Sequence, residues 1–161
     1  MAEEKFPSLD RKKSFGKITR EKVSGILKIS HNIIQDTAQT TFEILREAFR
    51  NIKNQNGESE YLIPILVEYS LYGADDVGRD LGEVSRGILE GVDKTAKELH
   101  VNANDWIERT ARAMLLESDW RDIDLRIVIE SYIRKSVPNG KELVKKIFIS
   151  EKTPENTRKA A

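Results

Sequence analysis

The stretch that decides the fold is Ala74-Asp75-Asp76-Val77-Gly78-Arg79-Asp80-Leu81-Gly82-Glu83-Val84-Ser85-Arg86-Gly87-Ile88-Leu89-Glu90-Gly91-Val92-Asp93-Lys94-Thr95-Ala96-Lys97-Glu98-Leu99-His100. Placed at about 100° per residue, Val77, Leu81, Val84, Ile88, Val92 and Leu99 fall within one stripe narrower than about 90°. The opposite face carries Asp75, Asp76, Arg79, Asp80, Glu83, Arg86, Glu90, Lys94, Lys97 and Glu98. Asp75–Arg79, Glu90–Lys94 and Asp93–Lys97 set an acid four residues before a base, the favoured order on a helix. The pattern predicts an amphipathic helix with one face for a core.

Its glycines are the least ordinary feature of the chain. Gly78 and Gly82 form one pair spaced by four, and Gly87 and Gly91 form another. A glycine inside a helix costs about 1 kcal/mol against alanine, so packing must return about 4 kcal/mol. One pair lies beyond each edge of the apolar stripe, and small residues let helix backbones approach closely. The helix is therefore expected to be flanked tightly on both sides, by other helices of the chain or by a second copy. The glycines open no strand–turn–helix and no P-loop lysine follows, so a phosphate loop is disfavoured.

On the N-terminal side, Val23, Ile26, Leu27, Ile33, Ile34, Ala38, Ile44, Leu45, Ala48, Phe49 and Ile52 keep helical spacing. A single helix over 19–53 would be about 50 Å long, which predicts an elongated domain. Asn54-Gln55-Asn56-Gly57 supplies its stop. The run from Tyr61 to Tyr72 is apolar nearly all round, with Pro64 expected in a first helical turn and Gly73 as a kink or interruption. Beyond the glycine-bearing helix, Asn104 is a candidate N-cap for a helix carrying Trp106, Ile107, Thr110, Ala111 and Met114, with a turn near 117–119. Ile123, Leu125, Ile127 and Ile129 alternate like a strand, and Pro138-Asn139-Gly140 would then turn a hairpin over 123–150. Leu125, Val128, Ile129, Tyr132 and Ile133 fit a helical face instead. An isolated hairpin is marginal in water, so helix–turn–helix is the preferred reading.

The fold expected is thus an all-α, elongated bundle of four to five amphipathic helices over 18–150, with the C-terminal β-hairpin as the minor alternative. A flexible arm is expected at 1–17 and a flexible tail at 151–161, because neither carries periodic apolar anchors.

Composition narrows the function classes. The 161 residues contain no cysteine, which removes thiolate metal sites and cysteine nucleophiles and fits a reducing, cytoplasmic setting. Twenty-seven Lys and Arg balance twenty-seven Asp and Glu, so the basic excess of a nucleic-acid binder is missing. No apolar leader follows Met1, and no apolar run reaches the roughly 20 residues of a membrane span. A soluble protein is expected.

The candidate sites are few. His31 and His100 lack metal-ligand spacing, and no G-x-S-x-G is present, so no catalytic, cofactor or metal residues are assigned. The carboxylate groups 75–83 and 117–124 read as a solvated face and a helix start. Glu68, the one charge inside the 61–72 run, is a candidate perturbed carboxylate, with Arg109 or Arg112 as the expected partner. The basic clusters at Arg11, Lys12, Lys13, Lys17 and Arg20, and at Lys141, Lys145 and Lys146, read as solubilising ends, with an acidic partner as the alternative.

Tyr61, Leu66, Tyr69 and Tyr72, together with Gly78, Gly82, Gly87 and Gly91, form the candidate interface, since aromatic residues enrich interface cores. The function expected is a non-enzymatic interaction or assembly module that forms a homo-oligomer or takes a protein partner. The alternative is reversible coating of a lipid or granule surface. Eleven-residue spacing links positions 77, 88 and 99, and Glu90–Glu98 resembles segments of apolipoprotein-type and granule-coating helices. Against that alternative, residues 75–98 hold seven acids and four bases, whereas anionic lipid favours a basic face.

Overall fold

Leu9–Ile29 forms α1, Ile33–Phe49 α2, Gln55–Asp76 α3, Leu81–Glu98 α4, Ala103–Arg121 α5 and Arg126–Ser136 α6. A seventh helix, α7, occupies 140–149. The structure, a computed structural model, describes residues 9–149, and among them there is no strand. The all-α expectation holds, with seven helices among the described residues in place of four or five.

The long helix expected over 19–53 is two helices. Ser30-His31-Asn32 breaks it, because Asn32 takes an extended backbone and its side chain accepts from the Gln35 N–H at 3.1 Å. Gln35 accepts in return from the Asn32 side-chain amide at 3.1 Å, and the Asn32 backbone N–H donates to Ser30 Oγ at 3.1 Å. The reason for expecting an elongated domain goes with that break. At the other end α1 takes in residues 9–17 of the expected arm, while residues 1–8 and the expected tail at 151–161 lie outside the described residues.

α3 starts six residues before Tyr61, capped by Asn54, which accepts from the Gly57 N–H at 3.1 Å. Pro64 is therefore well inside the helix, on its exposed side, where water can serve the Glu60 carbonyl that loses its N–H partner. Gly73 does not interrupt α3. The break falls at Gly78, whose φ of +69° is left-handed. The Arg79 N–H reaches back to the Ala74 carbonyl and the Gly78 N–H to that of Asp75, the two bonds of a Schellman ending. The helix expected over 74–100 accordingly begins at Leu81, with Asp80 as its cap. α5 is capped by Asn102 and not Asn104, and runs through the expected turn to Arg121.

The helix–turn–helix preferred for this stretch is present as α6 and α7, and the alternative hairpin over 123–150 is not formed. Leu125 and Ile129 are buried and Ile127 is 75% exposed, which is the burial of a helix turn and not of an alternating strand. Glu130 and Arg134 bridge at 2.9 Å across one turn. Asn139, at a φ of 58°, turns the chain into α7.

The helices pair out of chain order. α1 lies along α3 and α2 along α4, with α5 against both α3 and α4, and α6 on α4. One core results, centred on Leu45, Phe49, Leu62, Leu66, Ile88 and Trp106. Phe49 and Trp106 meet at 5.0 Å between ring centroids, and the indole N–H donates to Asn56 Oδ1 at 3.1 Å. Burying the indole is thus compatible with its polar edge.

Candidate interaction surfaces

The expected two-sided packing of the glycine-bearing helix is half right. An added Cβ at Gly87 would lie 2.5 Å from Thr37 Cβ and 2.7 Å from the Ile34 carbonyl oxygen. At Gly91 it would lie 2.6 Å from both the Ala38 carbonyl oxygen and Thr41 Cβ. This pair floors the α2–α4 seam within the chain. Gly82 is different: its added Cβ would stand 3.5 Å from Val128, ordinary contact, with Asp80 Oδ1 at 3.1 Å. Gly78 has nothing within 4 Å and serves backbone conformation alone. A second close seam, between α1 and α3, rests on Gly16 and on Gly73, for which the sequence suggests only a kink or interruption. Gly16 lies under the Tyr69 ring and Gly73 against the Arg20 carbonyl oxygen, with added Cβ atoms at 2.7 Å from each.

The 61–72 run is the inner helix of the bundle. Leu66 is fully buried, and Tyr61, Tyr69 and Tyr72 are half-buried against neighbouring helices. The Lys12 ammonium stands 5.0 Å from the Tyr61 ring. Tyr69 meets Tyr72 edge-on at 5.6 Å. The Arg20 and Arg121 guanidinium groups lie 5.3 Å and 4.3 Å from the Tyr72 centroid. A segment apolar all round is the signature of a helix surrounded by others, and these rings are occupied inside the chain.

Glu68 lies at the α3–α5 contact, and its partners are not the arginines expected. Arg109 donates to Ser59 and pairs with Glu60 at 3.6 Å, while Arg112 pairs with Glu108 at 3.0 Å. Glu68 faces the Tyr72 hydroxyl and Glu117 instead. Burial, reinforced by the Glu68 charge, pushes the Glu117 carboxyl up, with Arg121 opposing the shift. Burial and the neighbouring carboxylates likewise raise the Tyr72 phenol. Arg121 pairs with Glu117 one turn back on α5 at 3.4 Å and reaches Asp75 of α3 at 3.6 Å. The cluster is a clasp between two helices, made by the covered Arg121 of α5 reaching the exposed Asp75 and the Tyr72 ring of α3.

Of the large apolar side chains that stand in the open, two lie side by side on α5. On α5, Trp120 is 86% exposed and Leu116, one turn earlier, is 68% exposed. They share a face because i and i+4 coincide on a helix, and the signal was present in the spacing Leu116-x3-Trp120. The apolar stripe of α4, by contrast, faces the core through Val84, Ile88 and Val92.

Two grooves border α4. One of about 470 Å³ lies between α2, α4 and α6, lined in part by Ile34, Gly82, Arg86, Val128 and Lys135. Another of about 520 Å³ separates α2 from α4 near Gln35, Gln39, Glu90 and Lys94. Arg86 lines both and pairs with Glu90 at 3.4 Å. Among the described residues no group of three or more His, Asp or Glu side chains converges as a metal site. His100, at a φ of 57°, ends α4. No described helix is long and apolar enough to cross a membrane. No protein-family model matches the chain, and comparisons with curated proteins and with solved structures find no match.

Proposed function

We propose that this chain is a non-enzymatic helical interaction module of the cytoplasm that self-associates through the outer face of α5. The observation that carries the reading is the exposure of Trp120 and Leu116 on one turn. Solvating an indole and a leucyl side chain forgoes roughly 1.5–3 kcal/mol each relative to burial. Tryptophan is also the side chain most enriched where association energy concentrates. A two-fold contact would use the pair twice, once from each copy. The formal charge of zero means that copies carry no net repulsion to overcome. This relocates the expected interface from the 61–72 run, whose rings pack within the chain, to α5.

Sedimentation velocity of the full chain across a concentration series tests the reading. The mass should rise to a clean multiple of 18.4 kDa. Leu116→Ser with Trp120→Ser should return it to the monomer without changing the far-UV spectrum. A monomer at every concentration, or an oligomer indifferent to both substitutions, overturns the proposal.

A further inference from the structure

We infer that the outward face of α1 is a docking surface for an anionic lipid bilayer. α1 has 21 residues, and Gly16, Thr19, Val23 and Leu27 turn one side to the core. On the other side stand Ile18, 44% exposed, and Ile29, 70% exposed, with exposed Gly25 between them. At about 100° per residue these three positions fall within about 40° of one another, a single line along the helix. Ile18 and Ile29 are about 16 Å apart along the axis, at about 1.5 Å per residue.

Gly25 is the odd member. Nothing lies within 4 Å of the place a Cβ would take, and its φ is not left-handed. Neither packing nor backbone conformation in the chain explains a residue that weakens a helix interior. A flat surface seated across the two isoleucines does, because the bare backbone lets the middle of the helix approach it.

Charge supplies the second half of the argument. α1 holds seven Lys and Arg against Asp10 and Glu21, a formal +5, whereas the whole chain is neutral. The remainder therefore carries −5, so positive charge is gathered on this helix. Arg20 is committed to Asp76 by two bonds of 2.7 and 2.8 Å, and Arg11 lies 3.9 Å from Glu58. Lys17, Lys22 and Lys28 are exposed on both sides of the isoleucine line, and among the described residues none is held by an acid.

A nucleic acid would satisfy the lysines and leave the isoleucines facing phosphate. A protein groove would take the isoleucines but needs an acidic rim matched to them. An anionic bilayer answers both at once, with headgroups at the level of the ammonium groups and acyl chains just beneath. Neither groove described above takes a residue from α1. The lipid-coating alternative read from α4 thus finds its chemistry on a different helix, with the opposite charge.

The test is flotation of the full chain with vesicles of mixed phosphatidylglycerol and phosphatidylcholine, against pure phosphatidylcholine, at low and high salt. Binding is expected only to the anionic vesicles and should weaken with salt. Replacing Lys17, Lys22 and Lys28 with Gln should lower partitioning about five-fold per lysine. Ile18→Ser with Ile29→Ser should abolish flotation while the far-UV spectrum is kept, and should that variant unfold, Ile29→Ser alone, at the 70% exposed position, should still weaken it. Ile127→Ser, which removes a 75% exposed isoleucine on α6, should float like the parent, which ties binding to the α1 face. No flotation with anionic vesicles overturns the inference. So does binding that depends on the lysines but not on the isoleucines, the behaviour of a plain polyanion contact.

Discussion

Gly91→Ala and Gly25→Ala are chemically the same change, yet the structure assigns them opposite signs. Alanine gains about 1 kcal/mol over glycine in a helix interior at either place. At Gly25 the new methyl meets nothing, so the gain of about 1 kcal/mol stands alone. At Gly91 the methyl would sit 2.6 Å from the Ala38 carbonyl oxygen and from Thr41 Cβ. Both belong to the framework of α2, so relief requires moving one helix off the other. Overpacking of this kind costs about 1–3 kcal/mol, and a clash with backbone belongs at the upper end. The net loss at Gly91 is then about 2 kcal/mol, and the two variants should differ by about 3 kcal/mol. For a domain of this size that is about 6–12 °C in Tm. Thermal and urea unfolding followed by far-UV circular dichroism give both numbers, with an unchanged urea slope confirming that stability alone has moved. A Gly91→Ala protein as stable as the parent would refute the claim that this glycine exists to let α4 touch α2.

Two further outcomes follow from the clasps. Arg79 donates to the carbonyls of Leu27 at 2.8 Å and Ser30 at 3.1 Å, closing the end of α1 from the α3–α4 turn. Arg79→Met keeps the stem and removes these charge-assisted bonds, and should cost about 2 kcal/mol in urea unfolding; an unchanged midpoint would deny Arg79 that role. Glu117 binds its proton more readily folded than unfolded, so its ionisation opposes folding, and that penalty disappears as pH falls through its raised value. The stability of Glu117→Gln relative to the parent should therefore rise with pH, in the window above the ordinary glutamate range. A difference that stays flat there would show that the carboxyl is unperturbed.

Legibility in the sequence followed locality. Gly87 and Gly91 declared a close helix contact through their spacing alone, and the contact is there, whereas which helix lies opposite is a long-range fact that spacing does not encode. The break at Ser30-His31-Asn32 is masked in the sequence by apolar periodicity that runs on through Ile33 and Ile34, although the Asn32–Gln35 cap is readable. Two of the expected ion pairs gave way to tertiary partners. Asp75 turns to Arg121 at 3.6 Å, and Lys94 lies 4.2 Å from the Phe42 ring, while Asp93–Lys97 holds at 3.1 Å. Uniform apolarity over 61–72 fits a buried helix or an exposed contact surface equally, because it does not say whether neighbours surround the segment. Burial answers that question in favour of the core, and by the same measure moves the candidate surface to Trp120.

The interleaved pairing of α1 with α3 and of α2 with α4 has a consequence for how the chain acquires its structure. The links that join these helices span long separations: 56 positions from Arg20 to Asp76, 52 from Arg79 to Leu27 and 55 from Lys94 to Gln39. Neighbouring helices in sequence are not the main partners, so a nascent α1–α2 hairpin has little to hold it. During synthesis at about 5–20 residues per second, α1 and α2 wait several seconds for α3 and α4 to emerge. For a helical protein this is a non-local topology, and it places folding on the slower side of its class. Cutting the chain in the turn between α2 and α3 should leave two fragments that gain order only when mixed.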